Sequence, residues 1–137
     1  MITADIIIDV PFFDVDPMQV VWHGNYAKYL EAARTELLRS IHYDYQDMYE
    51  SGYMWPVVDM RIKYIGPARF AQKIRVEAQL VEWENRLKIN YLIKDADSGK
   101  KLTKASTVQV AVAMDTQEMC FRSPDILFEK LGLSNEG

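Results

Sequence analysis

The chain has 137 residues, of which 49% are apolar and 26% charged, the balance of one ordinary globular domain spanning residues 1–137. Its net charge of −4 argues against non-specific nucleic-acid binding. No run approaches the roughly 20 apolar residues of a membrane span, so none is expected.

The N-terminus, Met1-Ile2-Thr3-Ala4-Asp5, lacks a basic stretch and meets an acid at once, unlike a secretory leader. The single Cys120 cannot close an internal disulfide and fits a reducing compartment, so a cytoplasmic location is expected. Residues 4–13, rich in Ile, Val and Phe, read as a first strand. Asp14-Val15-Asp16-Pro17-Met18-Gln19 is turn chemistry. From 24 to 41 the spacing predicts a helix, with Tyr26, Leu30, Ala33, Leu37 and Ile41 on one face. Gly24 and Asn25 suit its start, and so wide an apolar face implies a helix embedded in the protein. Asp44 to Glu50 predicts a short second helix closed by Gly52.

The period then changes to two. Val58, Met60, Ile62 and Tyr64 form one alternating set. Ile74, Val76, Ala78 and Leu80 form the next, followed by Leu87, Ile89, Tyr91 and Ile93, then Val108, Val110 and Val112. Each set predicts a strand with one buried face, the four forming an antiparallel meander. Gly66-Pro67, Trp83-Glu84-Asn85 and Asp95 to Gly99 separate them. Ser123 is placed to cap a last short helix, with Pro124 at its first position and Gly132 at its end. One long helix on one face of an antiparallel sheet is an α+β arrangement. A five-stranded sheet leaves a long edge open, so pairing of two copies is expected.

The chemistry is concentrated between Asp14 and Tyr26. There a carboxylate stands in a loop seven residues before the N-terminus of the apolar helix. Free amides and the helix dipole make such an end a site for negative charge. The amide can polarise a carbonyl while the carboxylate activates water or attacks directly. A thioester suits so spare a site, because a thiol of pKa about 8.5 leaves with little help from an acid.

The run Asp16-Pro17-Met18-Gln19-Val20-Val21-Trp22-His23-Gly24-Asn25-Tyr26 resembles the hotdog-fold thioesterases of the 4-hydroxybenzoyl-CoA thioesterase type, including the Tol–Pal-associated branch. The match is close from Phe12 to Arg34, and the later strand order agrees over nearly the whole chain. The resemblance implies a hotdog fold, an antiparallel five-stranded sheet wrapped on one central helix, and hydrolysis of an acyl-CoA to acid and CoA. It implies that Asp16 is the catalytic carboxylate, that the amide at His23 faces the thioester carbonyl, and that the His23 imidazole assists. Val21, Trp22, Gly24 and Tyr26 then line the substrate site. A homodimer or homotetramer is implied, with no cofactor.

Basic residues are concentrated between Arg61 and Lys104, with 11 Lys/Arg against 5 Asp/Glu. They fit either a solvated sheet face or a phosphate-binding surface. By the resemblance, Arg86 and Lys88 are the first candidates for the CoA nucleotide, with Arg61, Lys63 and Arg69 behind them. Asp14 reads as a solvent-facing acid or a loop staple. Glu31, three residues before Arg34, reads as half of an intrahelical pair. His42 lies where an imidazole can bond the last helical carbonyls. Two His and one Cys without ligand spacing make no usual metal site.

Two other readings compete. Phe12 stands where the branch tends to have Tyr, which motivates a non-catalytic acyl-CoA-binding or protein-interaction module. A hydroxyacyl-thioester dehydratase would pair a His with a helical acid, and the Asp-to-His spacing here is of the other kind.

Overall fold

The computed structural model describes residues 2–133. The main sheet contains β1 (Thr3–Asp9), β3 (Val57–Tyr64), β4 (Lys73–Glu82), β5 (Leu87–Asp95) and β6 (Lys101–Gln109). Its order is β1-β4-β5-β6-β3, antiparallel throughout. Two short strands, β2 (Tyr53–Met54) and β7 (Val112–Ala113), pair separately. The helices are α1 (Tyr26–Ser40), α2 (Tyr45–Glu50) and α3 (Asp125–Lys130). This is the expected hotdog arrangement of a sheet around a central helix. Among the described residues no helix is long and apolar enough to cross a membrane.

Helix α1 carries the expected apolar stripe, and Leu30, Ala33, Leu37 and Leu38 are fully buried. It packs across β1 and β4. A 3-10 turn at His23–Asn25 precedes it, so the helical run covers the predicted start. His42 takes a left-handed φ of 59° and its N–H donates to Arg39 O, so its backbone closes the helix and the imidazole stays exposed. In α2, Asp44 and Asp47 form a capping box, and Gly52 follows at φ 89°.

The core faces of β4 and β5 are those expected, with Ile74, Val76, Leu87, Ile89 and Ile93 fully buried. Four details, three of strands and one of a helix cap, differ from the sequence reading. First, β1 stops at Asp9 because Pro11 has no N–H to offer a ladder, and Phe12–Asp14 turns into a 3-10 helix. Second, β3 crosses the sheet to lie beside β6, so only β4-β5-β6 form a meander. As an edge strand that α1 meets only through Tyr26 against Tyr64, β3 has no buried face. Val58, Met60 and Tyr64 are exposed and only Ile62 is half-buried.

Third, the last long strand lies earlier than its valines suggest. The core side of β6 is Thr103, Ala105, Thr107 and Gln109, small or polar residues that give no apolar alternation. The Thr107 hydroxyl pairs with Tyr91 Oη at 2.8 Å, and Gln109 Nε2 donates to Trp55 O at 2.8 Å. Val112 belongs to β7 in the small sheet. Fourth, Pro124 and not Ser123 occupies the cap position of α3, and the buried Ser123 hydroxyl caps nothing while its N–H donates to Glu84 O at 2.7 Å.

Candidate active site

Residues 14–22 fold back on themselves. Val15 bridges Val21, the Asp16 N–H donates to Val20 O at 2.9 Å, and the Gln19 N–H returns to Asp16 O at 2.9 Å. Gln19 makes the reversal at a left-handed φ of 68°. Asp16 Oδ1 accepts from Met18 N at 2.8 Å and from Val20 N at 3.4 Å. The half-buried carboxylate is thus oriented by its own turn. A second set of bonds fixes the turn to the segment between β3 and β4. Val21 N donates to Ala68 O at 2.8 Å and Phe70 N to Gln19 O at 3.0 Å.

The helix start follows at once. No side chain caps the 3-10 turn or α1. The amides of His23 and Gly24 open the helical run and have no carbonyl within it to accept them. Asn25, expected to start the helix, donates its side-chain amide to Asp14 O at 2.9 Å. The His23 side chain is exposed, with its ring 5.0 Å from that of Trp22. Its carbonyl accepts from Tyr64 Oη at 3.4 Å, which ties the site to the end of β3.

Val21 and Tyr26 are core residues. Tyr26 packs edge-on against Tyr64 at 5.0 Å, and burial pushes its hydroxyl up, so it stays protonated. Trp22 is half exposed and folds over Gly24.

Asp14 is a loop staple, and it is buried, not solvent-facing. It receives Tyr29 Oη and Lys28 Nζ, each at 2.7 Å. Burial pushes its carboxyl up, but the bonds from Lys28 and Tyr29 and the charge of Lys28 outweigh that and hold it below the ordinary value. Lys28, Tyr29 and Tyr64 are the residues that sequence reasoning missed, and Asp14 was read only as a staple or a surface acid. The Asp14-x-Asp16 repeat was their one signal.

Of the basic candidates, Arg69 lies beside this site, bridged to Val20, and the others do not converge on it within one chain. Tyr64 contacts Tyr26, so the even positions of β3 face the helix. Arg61 and Lys63 therefore face the opposite side of the sheet. There Arg61 pairs with Asp59 at 3.3 Å and Lys63 stands across from Lys104. Arg86 and Lys88 lie at the turn into β5, level with Gln109 and the Val57 end of β3. His23 lies at the Tyr64 end, roughly 20 Å away along the strand. Arg86 is also engaged by Glu82, at 2.5 and 3.2 Å. Arg34 does not pair with Glu31. Its guanidinium is buried and its Nε donates to Tyr45 Oη at 3.0 Å, while Glu31 is exposed. Among the described residues no group of three or more His, Cys, Asp or Glu could hold a metal ion.

A family profile described as Thioesterase-like superfamily matches residues 10–128. A candidate esterase of Synechocystis is 30% identical over 128 residues, covering 93% of this chain and 77% of that one. The acyl-CoA thioester hydrolase YbgC of Escherichia coli is 30% identical over 73 residues, 53% of this chain and about half, 54%, of that one. Among solved structures, a DHNA-CoA thioesterase of Staphylococcus aureus aligns with a TM-score of 0.84 at 26% identity, over 96% of this chain and 90% of that one. The matched profile takes in the Asp16 turn, the uncapped helix start and four of the five strands of the main sheet. The chain belongs to the thioesterase-like superfamily.

Proposed function

We propose that this chain hydrolyses acyl-CoA thioesters, with Asp16 as the reacting carboxylate and the amide at His23 as the oxyanion donor. The observation that carries this reading is the Asp16 turn, held by its own bonds, standing immediately before a helix start with no side-chain cap. The amide and helix dipole stabilise the charge that develops on the thioester oxygen. Asp16 takes a proton from water as it adds, or attacks the carbonyl itself to give an anhydride that water then opens. Either way one water is consumed, the C–S bond breaks, and free acid and CoA thiol are released. Val21, Trp22, Gly24 and Tyr26 wall the acyl end. Nothing in this chemistry calls for a cofactor, and a cytoplasmic location fits a CoA substrate.

A second copy of the chain completes the site. The open edge of β3 exposes Val57, Val58, Met60 and Tyr64, a surface unsuited to a lone chain. Antiparallel pairing of two β3 strands about Met60 sets Asp59 of each copy against Arg61 of the other. Centring on Arg61 instead would oppose that residue to itself. The Met60 register also lays the Tyr64 end of one strand beside the Pro56 end of the other. The partner subunit's Arg86 and Lys88 then lie on the side where the CoA phosphates leave the His23 site. A dimer of dimers adds nothing the site requires.

The test is free-thiol release from a panel of acyl-CoAs. Asp16→Ala and Asp16→Asn are expected to lose at least about a hundredfold in kcat while staying folded. Wild-type rates from Asp16→Ala would end this reading. Saturable acyl-CoA binding by the wild type without turnover would favour the non-catalytic module that Phe12 suggests.

A further inference from the structure

Asp16 makes its side-chain hydrogen bonds inside its own turn. The anchors through Val21 and Gln19 fix that turn to the segment preceding β4. Neither set of bonds ties Asp16 to the helix start it must face. Asp14 does. Its carbonyl accepts from Trp22 N at 3.0 Å and from Asn25 Nδ2 at 2.9 Å, on both sides of His23. Its two carboxylate oxygens take the two successive first-turn residues of α1, Oδ1 from Lys28 and Oδ2 from Tyr29.

We propose that Asp14, clamped by Tyr29 and Lys28, is the positioning residue of the active site, setting the distance between the Asp16 carboxylate and the helix N-terminus. This inference rests on Asp16 being the reacting carboxylate.

A buried carboxylate is costly, and a plain loop staple needs only one neutral acceptor. Two oxygens held by two neighbouring helix residues fix the rotation of the side chain as well as its position. Asn replaces it poorly, because it takes the Lys28 ammonium with a neutral oxygen and must reverse the bond with the Tyr29 hydroxyl. The Asp14 carboxyl and the Asp16 turn are separated by a single residue, so a shift in the first moves the second. Displacements near 1 Å at a reacting group cost on the order of a hundredfold in rate.

The experiment measures kcat, KM and thermal midpoint for Tyr29→Phe, Asp14→Asn, Lys28→Met and Lys28→Arg, with Asp16→Asn as reference. Tyr29→Phe and Asp14→Asn are expected to lower kcat about fivefold or more, with KM within about twofold, at temperatures where each is fully folded. Lys28→Arg is expected to restore what Lys28→Met loses. The Asp14→Asn, Tyr29→Phe double variant is expected to be no slower than the worse single one. If Asp14→Asn does not fold, Tyr29→Phe decides alone, since it removes one hydroxyl and keeps the ring. A smaller kcat loss, or a loss that follows the unfolded fraction, overturns the proposal. If Asp16→Asn is itself as fast as wild type, the reading of Asp16 fails instead, and the two failures are distinct.

Discussion

The Trp22 indole lies directly against the Cα of Gly24. A methyl group on Gly24 would stand 2.2 Å from Cζ3 of that ring and 2.5 Å from Cη2. The contact spans the 3-10 turn that opens the helical run, so the ring covers one side of the proposed oxyanion donor.

Gly24→Ala therefore pushes the indole off the helix start. Ala suits a helical backbone better than Gly by up to about 1 kcal/mol, so the thermal midpoint is expected to hold or rise. Activity moves the other way, with kcat/KM falling about tenfold as the pocket wall is lost. The Trp emission shifts to the red, and the shift vanishes in a Trp22→Phe background. Unchanged kinetics and emission would show that the ring does not rest on Gly24 in solution.

The edge of β3 gives a prediction of a different kind. Cross-strand charge pairs contribute roughly 0.2–1 kcal/mol each, and a two-fold axis counts each pair twice. Asp59→Arg places like charges opposite each other in the Met60-centred register. It is expected to shift the chain toward monomer at micromolar concentration in sedimentation velocity. Adding Arg61→Asp to the same chain restores the pairing with reversed signs and should restore the dimer. A doubly substituted chain as monomeric as the single variant would rule out this register.

How much of this was legible in the sequence depended on whether the burying partner was another element of the same chain. Helix α1 could be read because its stripe from Tyr26 to Leu37 meets β1 and β4. The alternations of β4 and β5 could be read for the same reason. The β3 alternation was equally clear, yet Met60 and Tyr64 are exposed. Apolar spacing reports that a face is to be covered, without saying by what. The core face of β6 was silent because Thr103, Thr107 and Gln109 meet the interior through polar groups. At the site, Asp16 and His23 were found through a motif, whereas the Asp14 staple depends on residues fourteen and fifteen positions away. No local pattern encodes a bond of that reach.

Acid stability offers a third prediction. Asp95 accepts from Gln72 Nε2 at 2.8 Å, from Ser98 N at 2.7 Å and from Asp97 N at 3.2 Å. The bond from Gln72 first, then those from Ser98, hold its carboxyl at about 2 against an ordinary 3.8. The folded pKa is depressed, so the unfolded chain takes up the proton first. The contribution of the Asp95–Gly99 turn is therefore complete above about pH 4 and is lost as pH falls toward 2. Asp95→Asn should lower the urea midpoint at neutral pH, and the gap to wild type should close by about pH 2. A gap that stays constant across that range would mean the carboxyl charge plays no part in the turn.

Gln109, the last residue of β6, supplies the last prediction. Its side chain is buried, and its Nε2 donates to Trp55 O at the entrance to β3. Trp55 in turn donates Nε1 to Tyr43 Oη at 3.1 Å, and Tyr43 shares its hydroxyl with Ser51 at 2.8 Å. One buried amide thus links the end of β6 to the segment after α2, beside the β2–β7 ladder and the bond from Val110 N to Pro56 O at 3.4 Å. Gln109→Leu keeps the volume but leaves the Trp55 carbonyl without its donor. An unpaired buried carbonyl costs about 1–3 kcal/mol, partly offset because the Gln Oε1 itself has no partner. The expected net loss is roughly 1 kcal/mol, read from urea unfolding. Gln109→Glu should cost more, since it removes the amide donor and buries a carboxylate. A Leu variant as stable as wild type would show that the Trp55 carbonyl finds another donor.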